Sequence, residues 1–362
     1  MTLFPLAFSI LYTTFALLRL LFFHHKEDEG DEGPLTIAKP LCGNEPQLEE
    51  NLRSFCQQDY PQYEVIFAVA SEDDPAAEVA RRVMRPNDRL IVARDRAGSN
   101  GKVNSLVAIE REAQYPIIVV ADSDIRVDRN YLRTVVAPFG DARVGGVTAV
   151  YAGAPTRTIA SKLGAMYINE AFLPSVLVAL ALQPLDFFLG ATMVVRREAL
   201  QKIGGFAALA DDLADDYMLG RKLRQAGYEL RLANTIVETT VSERTLNDLL
   251  HREIRWSRTI RTVRPVGHFF TILTMPLVWA AVALIVRRSP MTIAFAGAAV
   301  IARLAIHFAA RQSASWLWIP VRDALTFAVY VASFFGRRVV WRDRRFGVTA
   351  DGQLHEATDH HG

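Results

Sequence analysis

The chain has 362 residues, 51% of them hydrophobic, with 41 Lys and Arg against 39 Asp and Glu. That length suffices for one large domain or two ordinary ones with a full core, and a formal net charge of +2 gives no global argument for nucleic acid. The two cysteines, Cys42 and Cys56, stand in no metal-ligand spacing and read as free thiols of a reducing compartment.

Thr2 to Phe23 is almost wholly apolar and long enough to cross a bilayer, which takes roughly 20 residues. Its positive residues, His24, His25 and Lys26, follow the apolar run and no small-residue cleavage site is evident, so it reads as an uncleaved anchor. "EDEGDEG", Glu27 to Gly33, is a solvated acidic linker. Four β-rich runs follow, "LTIAKPL", "YEVIFAVA", "RLIVA" and "IIVVA", with helical patterns near Pro46–Cys56, Pro75–Met84 and Lys102–Ala113. This alternation predicts an α/β fold, an open and mainly parallel sheet with helices on both faces. Ligands of such sheets collect at the carboxyl ends of strands.

Four motifs sit where that rule places ligands, or open helices. In "SEDDPAAEVA", Asp73 and Asp74 precede Pro75, and an N-cap with Pro at the first helical position explains the pattern by itself. In "PIIVVADSDIRV" an apolar strand ends on Asp122 and Asp124. Residues two apart in a strand share a side, so two bare carboxylates there repel and lose hydration. A divalent cation with hard oxygen ligands, Mg²⁺ or Mn²⁺, supplies the missing positive charge. In "LADDYMLGRKLRQAGYELRL", Leu213, Tyr217, Leu219, Leu223 and Ala226 recur at helical spacing and Gly227 stops the helix. Asp215 and Asp216 therefore open that helix, where the dipole favours negative charge and capping is explanation enough. In "TLNDLLHREIRWSRTIRTV", Leu246, Leu249, Leu250, Ile254, Trp256, Ile260 and Val263 form an apolar side, and Arg252 and Arg255 project together from the other. Such a helix suits anionic lipid headgroups; two neighbouring guanidiniums also suit a diphosphate.

Phe172 to Val195 is nearly as apolar as a span, but a crossing there would separate Asp122 and Asp124 from Asp216. It reads as an interfacial helix plus a buried strand; a plain core helix fits as well. Three more apolar stretches follow: Phe269–Val286, Met291–Ala310 and Trp316–Phe335. Arginines crowd before them (Arg252, Arg255, Arg258, Arg261, Arg264) and after them (Arg337, Arg338, Arg342, Arg344, Arg345). Both clusters belong on the cytoplasmic side, which requires an even number of crossings between them. Arg303, His307, Arg322 and Asp323 lie inside the second and third stretches, so one stretch is interfacial, re-entrant or packed on its neighbours. The tail "DGQLHEATDHHG" reads as a solvated end.

In this order, an aspartate after the second strand, D-x-D, a helix-opening Asp pair and R-x-x-R-W before membrane segments, the chain resembles the membrane-bound family 2 and family 21 glycosyltransferases. The stretches that carry the resemblance are "KPLCGNEPQLEENLRSFCQQDYP", "GSNGKVNSL", "ADSDIRV", "LGATMVVRREALQKIGGF", "LADDYMLG" and "HREIRWSRTIR", from about Lys39 to Arg264. Within those families it is most similar to ceramide-glucosyltransferase-like enzymes, and among them to bacterial hopanoid-biosynthesis-associated glycosyltransferases. The resemblance implies a GT-A fold and inverting transfer of glucose or N-acetylglucosamine from a UDP-sugar to the hydroxyl of a membrane lipid such as a hopanoid or ceramide. Mn²⁺ or Mg²⁺ is the implied cofactor. By the same resemblance Asp74 or Asp73 contacts the nucleotide base, Asp122 and Asp124 meet the ribose and the metal, and Lys102 lies near the donor. Arg252, Arg255 and Trp256 embrace the diphosphate and acceptor, Asp216 matches the general base, and Asp215 holds the position before it. Animal ceramide glucosyltransferases carry Gly at the second D-x-D position, where this chain has Asp124.

The organisation that follows is an anchor over 1–25, an acidic linker over 26–34, a GT-A domain over 35–266, membrane segments over 267–336 and a basic, then polar tail over 337–362. The implied setting is a bacterial inner membrane, with several passes and the catalytic domain cytoplasmic. A processive polysaccharide synthase shares the motif logic, but the chain has too few apolar stretches to enclose a polymer channel alone, and Arg252 replaces the Gln of Q-x-x-R-W. A D-x-D phosphotransferase needs Thr where Arg126 stands. A non-catalytic lipid-binding protein would be expected to have lost a motif carboxylate, and none is missing.

Overall fold

The computed structural model describes residues 3–23, 33–212, 214–310 and 314–335, and the backbone of 338–341, 344–348 and 354–356. The readings made for His24 to Lys26, for most of the acidic linker, for Leu213, for Arg337 and Arg342, and for most of the histidine-bearing tail lie outside the described residues.

Eight strands make one sheet: β1 (Leu35–Pro40), β2 (Tyr63–Val69), β3 (Arg89–Val92), β4 (Ile117–Val120), β5 (Ile125–Arg126), β6 (Val144–Pro155), β7 (Met193–Arg196) and β8 (Glu229–Val241). Their spatial order is β3-β2-β1-β4-β7-β6-β8-β5. The pairs among β1 to β4 are parallel, as is β6 with β8. β7 runs antiparallel between β4 and β6, and β5 antiparallel at the edge. Every residue of β1, β2 and β4 is buried, which is why these strands read as mainly apolar runs without alternation, interrupted only by Thr36, Lys39 and Glu64.

Helices cover both faces. On one, α2 (Leu48–Cys56), α3 (Pro75–Val83) and α5 (Tyr131–Val136) contribute Leu52, Phe55, Val79 and Leu132 to the core. On the other, α4 (Gly101–Glu112), α8 (Arg197–Lys202) and α9 (Asp215–Gln225) contribute Leu106, Leu200 and Leu223. This is the mixed, mainly parallel sheet expected of the GT-A fold. The four β-rich runs and three helical patterns all form, with ends shifted by no more than two residues.

The chain from β6 to β7 passes through α6 (Ile159–Tyr167), a π-helical segment Ile168–Phe172 and α7 (Leu173–Leu182). Ile159–Leu182 is one of three helices among the described residues long and apolar enough to cross a membrane, the others being α1 (Leu3–Leu21) and the later Pro290–Ala309. More than half of its most apolar window is buried within the protein, and β7 follows it in the sheet, so the helix-plus-strand reading of Phe172–Val195 agrees with the fold.

Beyond β8 come α10 (Leu246–Val263), α11 (Pro265–Phe270), α12 (Pro276–Val286), α13 (Pro290–Ala309) and α14 (Ile319–Ser333). A capping box between Thr245 and Asp248 starts α10, a feature that stabilises a helix by about 1 kcal/mol. Its fully buried stripe is Leu249, Glu253 and Ser257; of the predicted apolar side Leu249 is buried, Leu250, Ile254, Trp256, Ile260 and Val263 are half-buried, and Leu246 is exposed. Glu253 joins the stripe because of α14: Arg322 reaches it and makes that charged position an interior one. α1, α12 and α13 share an apolar cluster of Leu6, Ala280, Ala283, Ala296 and Ala299. The segment Pro265–Thr274 meets α12 at a bend of 61°. α14, the third stretch, packs along α10 and α6. The backbone of β9 (Arg338–Trp341), β10 (Arg344–Val348) and β11 (Leu354–Glu356) forms a separate antiparallel sheet.

Candidate active site

β4 leads through Ala121 into the turn Asp122–Ser123–Asp124. Each carbonyl of that turn is held from a different element: Lys39 Nζ donates to Asp122 O at 2.5 Å, Asn51 Nδ2 to Ser123 O at 3.4 Å, and Thr240 N–H to Asp124 O at 2.8 Å. Ser123 Oγ donates to Glu45 Oε2 at 2.6 Å, and Thr239 Oγ1 to Asp124 Oδ2 at 3.0 Å. With the backbone fixed in this way, both Asp122 and Asp124 line one cavity of about 1070 Å³. Burial, then the charges of Asp122 and Glu45, push the Asp124 carboxyl up to about 7. Burial likewise brings the Lys39 ammonium down to about 7, against the pull of the same carboxylates.

α9 delivers the second acidic pair. Asp215 and Asp216 occupy its first turn as the sequence predicts, and Lys102 approaches them from the first turn of α4, where Asn100 caps the helix through the Lys102 and Val103 N–H groups. Lys102 Nζ is 2.7 Å from Asp122 Oδ1 and 3.4 Å from Asp215 Oδ2. The latter contact is ionic without hydrogen-bond geometry and leaves Asp215 Oδ2 buried with no hydrogen-bond partner. Burial alone would lower the Lys102 pKa, but Asp122 and Asp215 outweigh it and hold the ammonium above its ordinary value. Asp216 accepts from Gly190 N–H at 3.0 Å and from Tyr217 N–H at 2.7 Å. Burial, followed by the neighbouring charge of Asp215, pushes Asp216 up to about 6.

α10 closes the cavity with Arg252, Arg255 and Trp256. Arg252 pairs with Glu243 at 2.5 Å and lies 5.0 Å from the Trp256 ring centre. Its Nε and Nη2 are buried without hydrogen-bond partners, donors suited to an anion. Trp256 also packs against Phe172, ring centres 6.3 Å apart.

The first motif stands elsewhere. Asp74 Oδ1 accepts from Ala76 N–H and from Gly43 N–H, both at 2.9 Å, so this carboxylate caps α3 and ties down the loop after β1. Asp73 is exposed, and neither residue lines the cavity.

A second cavity, of about 820 Å³, adjoins the first. Its walls come from α1, α7, α11 and α14, with Tyr12, Phe172, Val176 and Tyr330 among them. Asp216, Gly190 and Trp256 line both cavities. Asp216 is thus not inside either space but on their common boundary: the polar side holds the D-x-D turn, Lys102 and two arginines, and the other side is mostly aliphatic and aromatic.

No three His, Cys, Asp or Glu side chains converge as a ready metal site among the described residues. Asp122 and Asp124 nevertheless fit a hard cation: they are oxygen donors on a fixed turn, and Asp124, raised to about 7, lacks a sufficient counter-charge. A cation such as Mg²⁺ is commonly held by one or two carboxylates together with substrate phosphates.

Sequence reasoning did not single out Lys39, Glu45, Gly190, Thr239 or Glu243. Lys39 carried a usable signal, a lone charge within a strand buried at every position. Gly190 carried one too, as a glycine just before a β-run. Glu243 and Thr239 carried none, because their partners lie on other elements.

The family described as glycosyl transferase family 21 matches residues 1–354. Over 241 residues, 64% of this chain and 52% of the relative, the protein is 28% identical to ceramide glucosyltransferase 3 of Caenorhabditis elegans. It is 35% identical to ceramide glucosyltransferase of Komagataella phaffii over 101 residues, 26% of this chain and 20% of that protein. The chain spans about half the length of the C. elegans relative. Among solved structures, S. aureus TarS 1–349 in complex with UDP-GlcNAc is similar at 14% identity, covering 90% of this chain and 100% of that one with a TM-score of 0.42, a likeness that assigns nothing here. The match along nearly the whole sequence makes this chain a member of glycosyl transferase family 21.

Proposed function

We propose that the protein transfers a sugar, glucose or N-acetylglucosamine, from a UDP-sugar to the hydroxyl of a membrane lipid such as a ceramide or a hopanoid, with inversion at the anomeric carbon. The observation that carries this reading is the position of Asp216 on the boundary between a polar and an apolar cavity. A nucleotide diphosphate suits the first, and a lipid tail suits the second.

Asp216 takes the proton of the lipid hydroxyl as its oxygen attacks the anomeric carbon. Gly190 and Tyr217 N–H groups hold the carboxylate, and burial keeps its pKa near enough to neutrality for it to accept a proton. Lys102, Arg252 and Arg255 stabilise the charge that grows on the departing diphosphate. Asp122 and Asp124 would hold a divalent cation, which when bound supplies Lewis-acid stabilisation of the same diphosphate. A single base suffices for inversion; retention requires a second carboxylate as nucleophile. Trp256, Phe172 and α7 exclude water from the acceptor side. Asp74 and Asp73, which stand outside the cavity, would take part only through the loop that Gly43 and Asp74 fix.

The same reading assigns α1 as anchor, and α12 with α13 as a hairpin of two crossings between the arginine clusters. The GT-A part then faces the cytoplasm of a bacterial inner membrane. α12, at 11 residues, is about 16 Å long, so it enters together with the bent segment before it.

The test is incubation of membranes containing the protein with radiolabelled UDP-glucose or UDP-N-acetylglucosamine, Mn²⁺ and both lipid classes, followed by organic extraction. Label in the lipid phase, lost with Asp216→Asn, is the expected result. No extracted label from either donor overturns the reading, and label in an insoluble polymer replaces it with a polysaccharide synthase.

A further inference from the structure

Asp186 lies between α7 and β7, in the same connection as Gly190, and Arg264 is the C-cap of α10. Arg264 Nη2 donates to both carboxylate oxygens of Asp186, at 2.5 and 2.6 Å. The same guanidinium lies 5.5 Å from the centre of the Tyr217 ring, which stacks on Phe187 with ring centres 6.4 Å apart and planes 16° apart. Phe188 N–H donates to Asp216 O at 3.4 Å, and Gly190 N–H to Asp216 Oδ2 at 3.0 Å. Gly220 on α9 permits this approach, since a Cβ there would stand 2.6 Å from Phe187 Cα. The connection that gives Asp216 a hydrogen bond is therefore fastened to α9 by packing and to α10 by an ion pair.

We propose that Arg264 and Asp186 are positioning residues for the base: their ion pair fixes the 183–192 connection so that Gly190 N–H aims the Asp216 carboxylate at the acceptor hydroxyl. The inference rests on the reading of Asp216 as base. It gives Arg264 a different task from the headgroup contact expected of the arginine cluster. The two side chains are 36% and 39% exposed, and ion pairs so exposed contribute only about 0–1 kcal/mol to the fold. Misplacing a reacting group by about 1 Å, by contrast, can cost about a hundredfold in rate. The pair's effect therefore belongs in kcat and not in the melting point.

The experiment uses the full chain in lipid nanodiscs, with transfer from the UDP-sugar to the lipid that the wild type labels. Arg264→Met, Asp186→Ala, the double variant and Asp186→Glu are compared by kcat, donor KM and thermal midpoint. Each single loss is expected to lower kcat about tenfold with donor KM unchanged, and the double variant to lose no more than either single, because coupled residues are not additive. Asp186→Glu keeps the charge and is expected to recover most of kcat. Single variants with wild-type kcat overturn the proposal, as do losses that multiply in the double variant or a fall in midpoint that accounts for the lost activity. If Asp216→Asn transfers as well as wild type, it is the base reading that fails, and this inference with it.

Discussion

Gly190 stands between the two acidic centres of the site: a Cβ on it would lie 3.3 Å from Asp122 Oδ2 and 3.3 Å from Asp216 Oδ2, with Lys102 Nζ at 3.7 Å. The space where D-x-D, Lys102 and Asp216 converge is open because residue 190 has no side chain. On the proposed mechanism the anomeric carbon and the attacking hydroxyl meet there.

Gly190→Ala tests that use of the space. A contact at 3.3 Å asks the neighbours to move by a few tenths of an ångström, which the fold tolerates. Reacting groups tolerate less, so transfer is expected to fall at least about tenfold. UDP binding, measured by calorimetry, is expected to stay near wild type. Unchanged kcat/KM would show that the reacting atoms meet elsewhere.

The Asp216 carboxyl is lifted to about 6, by burial first and then by Asp215, while Lys102 draws it down. A base acts in its ionised form, so kcat/KM is expected to fall as pH drops below about 6 and to level off above it. Because Asp215 and Asp216 interact, the limb belongs to the pair. Lys102→Met removes the opposing cation, and the acidic limb of the pH profile should then move to higher pH, whatever happens to the plateau. A limb that stays in place, or moves down, contradicts Asp216 as the titrating base.

Much of this arrangement is legible in the amino-acid sequence, for local reasons. β1, β2 and β4 are buried on both faces and are therefore mainly apolar, and the Asp215–Asp216 pair sits where a helix start favours negative charge. D-x-D ends a buried strand, and that position alone calls for a positive partner. What is illegible depends on distance. The insertion of β7 antiparallel between β4 and β6 leaves no local trace. Lys39 meets its carbonyl 83 residues away, and Glu253 becomes an interior residue only when Arg322 arrives from 69 residues on. Asp74 falls in both classes: its cap on Ala76 N–H is visible in "DDP", whereas its second bond, from Gly43 N–H in the loop after β1, leaves no local trace.

Asp124 illustrates a cost of the site to the fold. Its carboxyl has a folded pKa of about 7 against an ordinary 3.8, so the native state holds the proton more tightly than the unfolded chain. The sign is that of a raised carboxylate: stability is fully present below pH 3.8 and is lost as pH rises through about 7. A shift of that size corresponds to at most about 4 kcal/mol. Asp124→Asn is therefore expected to raise the thermal midpoint of metal-free protein at pH 8 while abolishing Mn²⁺-dependent UDP binding. A lower midpoint would mean that the Thr239 hydrogen bond, at 3.0 Å, outweighs the burial of charge.

Arg322 and Glu253 join α14 to α10 in the wall of the apolar cavity, through bonds of 2.8 and 2.7 Å between side chains each 1% exposed. Arg322 Nη1 also donates to Leu163 O at 3.1 Å, so α6 is held by the same guanidinium. Removing one partner leaves the other as a buried unpaired charge, which costs about 3–5 kcal/mol. Glu253→Leu is expected to lower the unfolding free energy in micelles by an amount of that order. The double variant Glu253→Leu with Arg322→Met removes both charges, and buried pairs replaced by apolar residues are often neutral in stability, so most of the loss should return. Should the double variant fall as far as the single, the pair's contribution would be packing of α14 against α6 and α10 and not charge compensation. A recovered fold with lost lipid transfer would instead place Arg322 and Glu253 among the groups that shape the acceptor cavity beside Trp256.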